Sequence, residues 1–149
     1  MRLTTRTNLA MRTLMYCAVN RDRVVRTSEI AERCNASENH LGQVISALSR
    51  GGYVQTVRGR GGGIRLAKEP GDISVGHVVR EFENDAPLAD CFRGEASDCP
   101  IIPFCQLKGM LSGAIEAFYG ALESATVLDL VEGNKGLKAL FAPVPAEDF

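Results

Sequence analysis

Apolar positions recur at helical spacing in several stretches of the chain. Between residues 4 and 20, Ala10, Leu14, Cys17 and Ala18 share one face, which predicts a helix. Ser28 is a candidate N-cap for a short helix ending at Arg33, with Ile30 and Ala31 turned inward. Cys34-Asn35-Ala36 makes a tight connection, and Ser37 can cap the next helix. There Leu41, Val44, Ile45 and Leu48 stand at i, i+3, i+4 and i+7, a continuous apolar stripe. Gly51-Gly52 stops it, because glycine accepts the left-handed conformation found just past a helix end. Two short helices joined this way form a helix-turn-helix pattern.

The period then changes from that of a helix to that of a strand. Tyr53–Val57 alternates and is rich in β-formers, Arg58-Gly59-Arg60-Gly61-Gly62-Gly63 follows, and Ile64-Arg65-Leu66 completes a hairpin. A hairpin after a helix-turn-helix is the wing of a winged helix. A further helix is predicted from Ser74 to about Phe82, carried by Val75, Val78, Val79 and Phe82. Residues 83–104 break the pattern with prolines and a Gly-Glu-Ala-Ser stretch, and a loop that long in a compact domain usually has a function.

The longest helix is predicted from about Phe104 to Ser124, with Leu107, Met110, Leu111, Ala114, Ile115, Phe118 and Leu122 as its apolar face. That stripe exceeds what a wing-sized core covers, which points to packing against a second copy of the chain, the alternative being packing onto its own domain. The expected fold is mainly α with a small β-hairpin. A winged helix-turn-helix takes residues 1–82, a loop 83–104, a dimerisation helix with a short C-terminal helix 105–132, and a tail 133–149, frayed from Pro143.

Length and composition fit this picture: 149 residues, 45% apolar and 23% charged, make one ordinary globular unit. No apolar run approaches the ~18 residues of a membrane span. The basic N-terminus MRLTTRTNLAMRTLMYCAVN lacks the core and cleavage site of a signal peptide, so a cytoplasmic location is expected. Charge is unevenly placed. Residues 1–70 carry 12 Lys+Arg against 5 Asp+Glu, and residues 71–149 carry 5 against 13. Such asymmetry fits one half that meets a polyanion, or chance polarity of solvated faces.

The face of the second short helix opposite its apolar stripe holds Asn39, His40, Gln43 and Arg50. Asn and Gln can pair bidentately with adenine, and the start of a recognition helix is where base edges are reached. Ser37 and Ser46 can donate to phosphates, while Glu38 serves the helix dipole or accepts from a cytosine amino group. At the wing tip, Arg58 and Arg60 project from a backbone with almost no bulk, which suits a narrow minor groove. A nucleotide-binding loop is the competing reading, but the Gly-Lys-Ser/Thr ending is missing and a GxGxxG starting at Gly59 fails at Ile64. Double-stranded operator DNA is the expected partner.

Five cysteines at uneven spacing do not make a disulfide framework. Cys91, Cys99 and Cys105 are separated by seven and five intervening residues in or beside the irregular loop, where soft thiolates can converge on zinc or an iron–sulfur centre, or stand as three unrelated cysteines. Cys17 and Cys34 fall within predicted helices and read as packing residues. Three thiolates leave a fourth coordination position weak, which suits a sensor. No acid–base constellation supports catalysis, so no enzyme is expected; a redox or metal-transfer protein working through Cys99 and Cys105 is the rival from another class.

Three segments, MRLTTRTNLAMRTLMYCA, TVRGRGGGIRL and DCFRGEASDCPIIPFCQL, together resemble the winged-helix iron–sulfur transcriptional regulators of the NsrR, RirA and IscR type, over Met1 to about Glu132. SENHLGQVISALSRGGYVQTVRGRGGGIRL and SVGHVVREFE look most like the nitric-oxide-sensing NsrR branch, while Asn8 and the cysteine spacing look also like the iron-responsive RirA branch. The resemblance implies a homodimer crossed by the long helix, a repressor whose four-iron cluster on Cys91, Cys99 and Cys105 controls operator affinity, and nitric oxide or iron as the signal. It implies base readers at Asn39, His40 and Gln43 and minor-groove entry by Arg58 and Arg60. Where some NsrR proteins place an aspartate ligand this chain has Asn8, and where IscR-type proteins place a histidine it has Lys108. Asp85 and Asp90 are the neighbouring carboxylates that remain for a fourth ligand.

Overall fold

A computed structural model of the chain describes residues 3–84, 87–94 and 97–143. Among these the order is α1 (Thr5–Val19), α2 (Thr27–Arg33), α3 (Glu38–Arg50), β1 (Val54–Val57), β2 (Gly63–Leu66), α4 (Val75–Glu83), α5 (Gln106–Glu123), α6 (Val127–Val131) and α7 (Lys135–Phe141). Single 3-10 turns lie at Pro70–Asp72, Asp90–Phe92 and Ile102–Phe104. The architecture is mainly helical with one antiparallel hairpin, as the pattern predicted.

Helix α1 is the axis of the core. It packs against α3, α4, α6 and α7, and Ala10, Leu14, Tyr16 and Cys17 are buried along it. The turn between α2 and α3 closes through Asn35 at φ 49° and a hydrogen bond from Ala36 N to Ala31 O of 2.9 Å. The Ser37 hydroxyl then accepts from His40 N at 3.2 Å and starts α3 as expected. At the other end Gly51 stays helical, and it is Gly52 that takes the left-handed conformation, at φ 73°. The hairpin pairs Val54 with Leu66 and Val57 with Gly63.

Two expectations need correction. Ser28 does not cap α2: the cap lies two residues earlier, at Arg26, whose backbone N–H donates to Glu29 Oε1 at 3.1 Å. The reason is tertiary. Val25 is bridged to Ile64 in both directions (2.9 and 2.8 Å), which holds the chain extended up to Arg26. The segment read as a tail from residue 133 contains α7, whose Phe141 is buried against the Tyr16 ring at 5.1 Å between centroids. Asn20 Nδ2 donates to Phe141 O at 2.9 Å, fastening α7 to the end of α1.

The crossing of α4 and α5 is close because of Gly76. A Cβ there would sit 2.5 Å from Glu123 N and 2.8 Å from Glu123 Cα, both backbone atoms that cannot rotate away. Nearby, Arg80 forks onto Glu116 with two 2.9 Å hydrogen bonds and lies over the Tyr119 ring at 4.3 Å. Gly76→Ala gains about 1 kcal/mol of helix propensity and meets an overpacking cost of about 1–3 kcal/mol or more. The net expectation is a lowered thermal midpoint; a midpoint at or above wild type would show that the crossing relaxes freely.

Candidate nucleic-acid interface and cysteine segment

Helix α3 turns its apolar stripe, Leu41, Val44, Ile45 and Leu48, into the core, and this leaves Ser37, Asn39, His40, Gln43 and Arg50 together on the exposed face. Arg50 Nη1 donates to Ser46 Oγ at 3.3 Å, so the arginine lies back along the helix on that same face. A groove runs beside these residues, lined by Glu38, Asn39, Gln43, Ser46 and Arg50 and by Arg6 of α1. Arg6 had no signal in the sequence; one arginine on an amphipathic helix looks like any solvated charge.

The loop between β1 and β2 carries Arg58 and Arg60, both exposed. Gly59 at φ 101° and Gly61 at φ 83° take conformations that a side chain resists, and Gly62 N donates back to Gly59 O at 2.9 Å. The tip is thus a closed turn that presents two cations and little else. The surface of α3 and the hairpin together offer hydrogen-bonding side chains flanked by positive charge, the requirement for reading a polyanionic duplex.

The three candidate ligand cysteines occupy different local settings. Cys91 is half-buried in the 3-10 turn Asp90–Phe92, Cys99 is exposed, and Cys105 is half-buried at the N-cap of α5. All three are free thiols, and among the described residues no three His, Cys, Asp or Glu side chains are grouped to hold a metal. Their chemistry nevertheless fits an iron–sulfur group. Thiolates suit it, and Cys105 stands at the positive end of an 18-residue helix, where an anion is favoured. Between Cys91 and Cys99, the Ser97 hydroxyl is buried with no hydrogen-bond partner among the described residues, a donor available to a sulfur acceptor. Of the carboxylates considered for a fourth ligand, Asp90 is exposed and paired with Arg93 at 3.3 Å, and Asp85 lies outside the described residues. Asn8 is exposed on α1. Cys17 and Cys34 are buried in the core; burial pushes the Cys17 thiol up to about 12 and raises Cys34 as well, so both are packing groups.

The cysteine segment begins where α4 ends, and that end is tied to α1. Thr4 N donates to Glu83 Oε1 at 2.8 Å and Thr4 Oγ1 at 3.0 Å, and Thr7 Oγ1 donates to the same oxygen. One carboxylate thus takes three donors at the N-terminus of α1, where the helix dipole also favours it. Residues 79 apart meet here, a pairing no local pattern discloses.

A family model described as Rrf2, iron-dependent transcriptional regulator, matches residues 3–133. The chain belongs to the Rrf2 family. Regulators named NsrR are similar over nearly full length: that of Bacillus subtilis (strain 168) is 40% identical, covering 94% of this chain and 97% of its own. That of Geobacillus kaustophilus (strain HTA426) is 39% identical, covering 94% and 96%. A solved structure of T. potens IscR superposes with a TM-score of 0.72 at 26% identity, covering 91% of this chain and 90% of that one. As an Rrf2 protein the chain is a transcriptional regulator and not an enzyme, and its hairpin is the wing of the family's winged-helix fold. Among the described residues of this Rrf2 chain, no helix is long and apolar enough to cross a membrane.

Proposed function

We propose that this Rrf2 chain is a cytoplasmic homodimeric repressor that binds operator DNA through α3 and the wing, and that it reads nitric oxide through an iron–sulfur group held by Cys91, Cys99 and Cys105. The observation that carries the reading is the placement of three free thiols on the segment that leaves α4 beside the α1 clamp, within a DNA-binding fold. Similarity to regulators named NsrR supports the choice of signal.

When bound, an iron–sulfur group supplies iron that nitric oxide can ligate. The chain's own residues do the rest. Cys91, Cys99 and Cys105 would hold the group as thiolates, and the buried Ser97 hydroxyl would donate a hydrogen bond to it. Because a signal acts only through different affinities for two states, sensing must alter the geometry of residues 83–104. Glu83 is where that segment meets α1. Ser37, Asn39, His40, Gln43 and Arg50 then read the major groove while Arg58 and Arg60 enter the minor groove.

The experiment is an anaerobic titration of freshly purified protein with nitric oxide, following the visible spectrum and operator binding together. Parallel loss of absorbance and DNA affinity, unmatched by mild iron chelation, is the expected result. Release by chelation with indifference to nitric oxide would move the signal to iron or cluster supply, the reading that the family's iron-dependent description favours.

A further inference from the structure

We propose that Tyr53 is a positioning residue for the wing: its hydroxyl, donated to Glu81 of α4, sets the angle at which the hairpin leaves α3 and hence where Arg58 and Arg60 reach. The inference rests on the DNA-binding part of the reading above and is independent of the signal.

A two-stranded hairpin is marginal by itself and takes its direction from what holds its base. On the β2 side that hold is the bridge from Ile64 to Val25. On the β1 side it is Tyr53, the residue before the strand. Tyr53 N donates to Leu48 O near the end of α3 at 2.9 Å, and Tyr53 O accepts from Ala67 N, just past β2, at 2.9 Å. The side chain is buried and crosses to a further element, where its hydroxyl donates to Glu81 Oε2 at 2.8 Å. Burial, with the hydrogen bond to Glu81 and its charge, pushes the phenol up to about 12, so it stays a donor at neutral pH. One residue thus joins the end of α3, the two legs of the wing and α4.

The space around the ring is reserved for it. Gly51 has ordinary helical backbone, φ −72°, so no turn demands glycine there. The ring does: a Cβ would lie 2.6 Å from Tyr53 Cε2 and 2.9 Å from Glu81 Oε1. Lys68 Nζ stands 5.3 Å from the ring centroid. Two residues beyond Glu81, Glu83 takes the donors of α1, so the end of α4 fastens both α1 and the wing. From Val54 to Arg58 the strand runs about 13 Å, and a swing of about 10° at its base moves the tip by about 2 Å. A displacement of that size breaks a hydrogen bond to the duplex.

The test uses the full chain and a duplex that the wild-type protein selects from a random-sequence pool. Affinities are measured for Tyr53→Phe, Glu81→Ala and Glu81→Gln, each with the natural wing and with Arg58→Ala and Arg60→Ala together, and thermal midpoints are recorded. Phenylalanine keeps the ring and loses the donor. Alanine and glutamine both remove the Glu81 charge, but glutamine keeps an acceptor for the hydroxyl, so comparing them separates the hydrogen bond from the charge. With the natural wing, Tyr53→Phe is expected to bind about 3–10-fold more weakly than wild type, and Glu81→Ala more weakly than Glu81→Gln by a similar factor, a fraction of what the two arginines contribute. Without the arginines both differences should vanish, a non-additivity that a general loss of stability does not produce. Differences of equal size in the two backgrounds, or no difference with the natural wing, would overturn the proposal. Failure of the wild-type chain to select any duplex would overturn the regulator reading together with it, so the two failures are distinguishable. If Tyr53→Phe melts below the assay temperature, the comparison of the two Glu81 variants decides alone.

Discussion

With Arg58 and Arg60 both replaced by alanine, operator affinity is expected to fall about 100-fold or more while the thermal midpoint is unchanged. Each guanidinium that reaches the duplex contributes about 1–3 kcal/mol. Two such losses amount to roughly two orders of magnitude, since about 1.4 kcal/mol is a factor of ten. Stability is untouched because both side chains are exposed at the hairpin tip, and the turn itself is built by Gly59, Gly61 and the Gly62–Gly59 hydrogen bond. Affinity is read by fluorescence anisotropy on an operator duplex, and the midpoint by circular dichroism. Because the narrow minor groove concentrates negative potential, the deficit should be greatest on A·T-rich flanks. Wild-type affinity in the double variant would remove the wing from the interface and leave α3 alone to read the site.

The wing was legible because its grammar is local: a change of period, six turn residues and a second strand lie within fourteen consecutive positions, Tyr53 to Leu66. Helix α3 was legible for the same reason, with Ser37 at one end, glycines at the other and the apolar stripe between. What escaped was tertiary. The start of α2 is set by a bridge from Val25 to Ile64, not by the serine that local propensity favours. Helix α7 is short and weakly patterned, and it is kept by Tyr16 and Asn20 from the far end of the sequence. Arg6 acquires its place only when α1 is packed beside α3, and Glu83 only when α4 returns to the start of α1. For the cysteines, spacing pointed to a ligand set, but the three thiols sit in a turn, an exposed stretch and a helix cap, and are not grouped among the described residues. Sequence spacing reports which thiols are available, whereas convergence depends on the group that draws them together.

Leu107→Glu combined with Met110→Glu is expected to break the proposed homodimer into monomers and to lower operator affinity by a large factor. The apolar face of α5 divides into two parts. Toward its C-terminus Phe118 and Leu122 pack against the core of the same chain, which is what an intramolecular role requires. Toward its N-terminus the stripe is exposed among the described residues: Leu107 is 60% exposed, Met110 69%, and Ile101 and Phe104 just before the helix 59% and 88%. Burying each such side chain is worth about 1.5–3 kcal/mol, and a two-fold contact buries each one twice. An 18-residue helix is about 27 Å long, enough to cross its twin with several turns. Two glutamates on that face would have to be desolvated opposite their own copies, which reverses the sign of the contact. The consequence for DNA follows from geometry. In a dimer, binding one half-site holds the second recognition helix near its own at an effective concentration of about millimolar, and a monomer loses that linkage while keeping every contact of α3 and the wing. Sedimentation velocity checks the first step and anisotropy on whole and half operators the second. A chain that remained dimeric with both glutamates in place would put its interface elsewhere, and the bare half of α5 would then need a different partner to account for its composition.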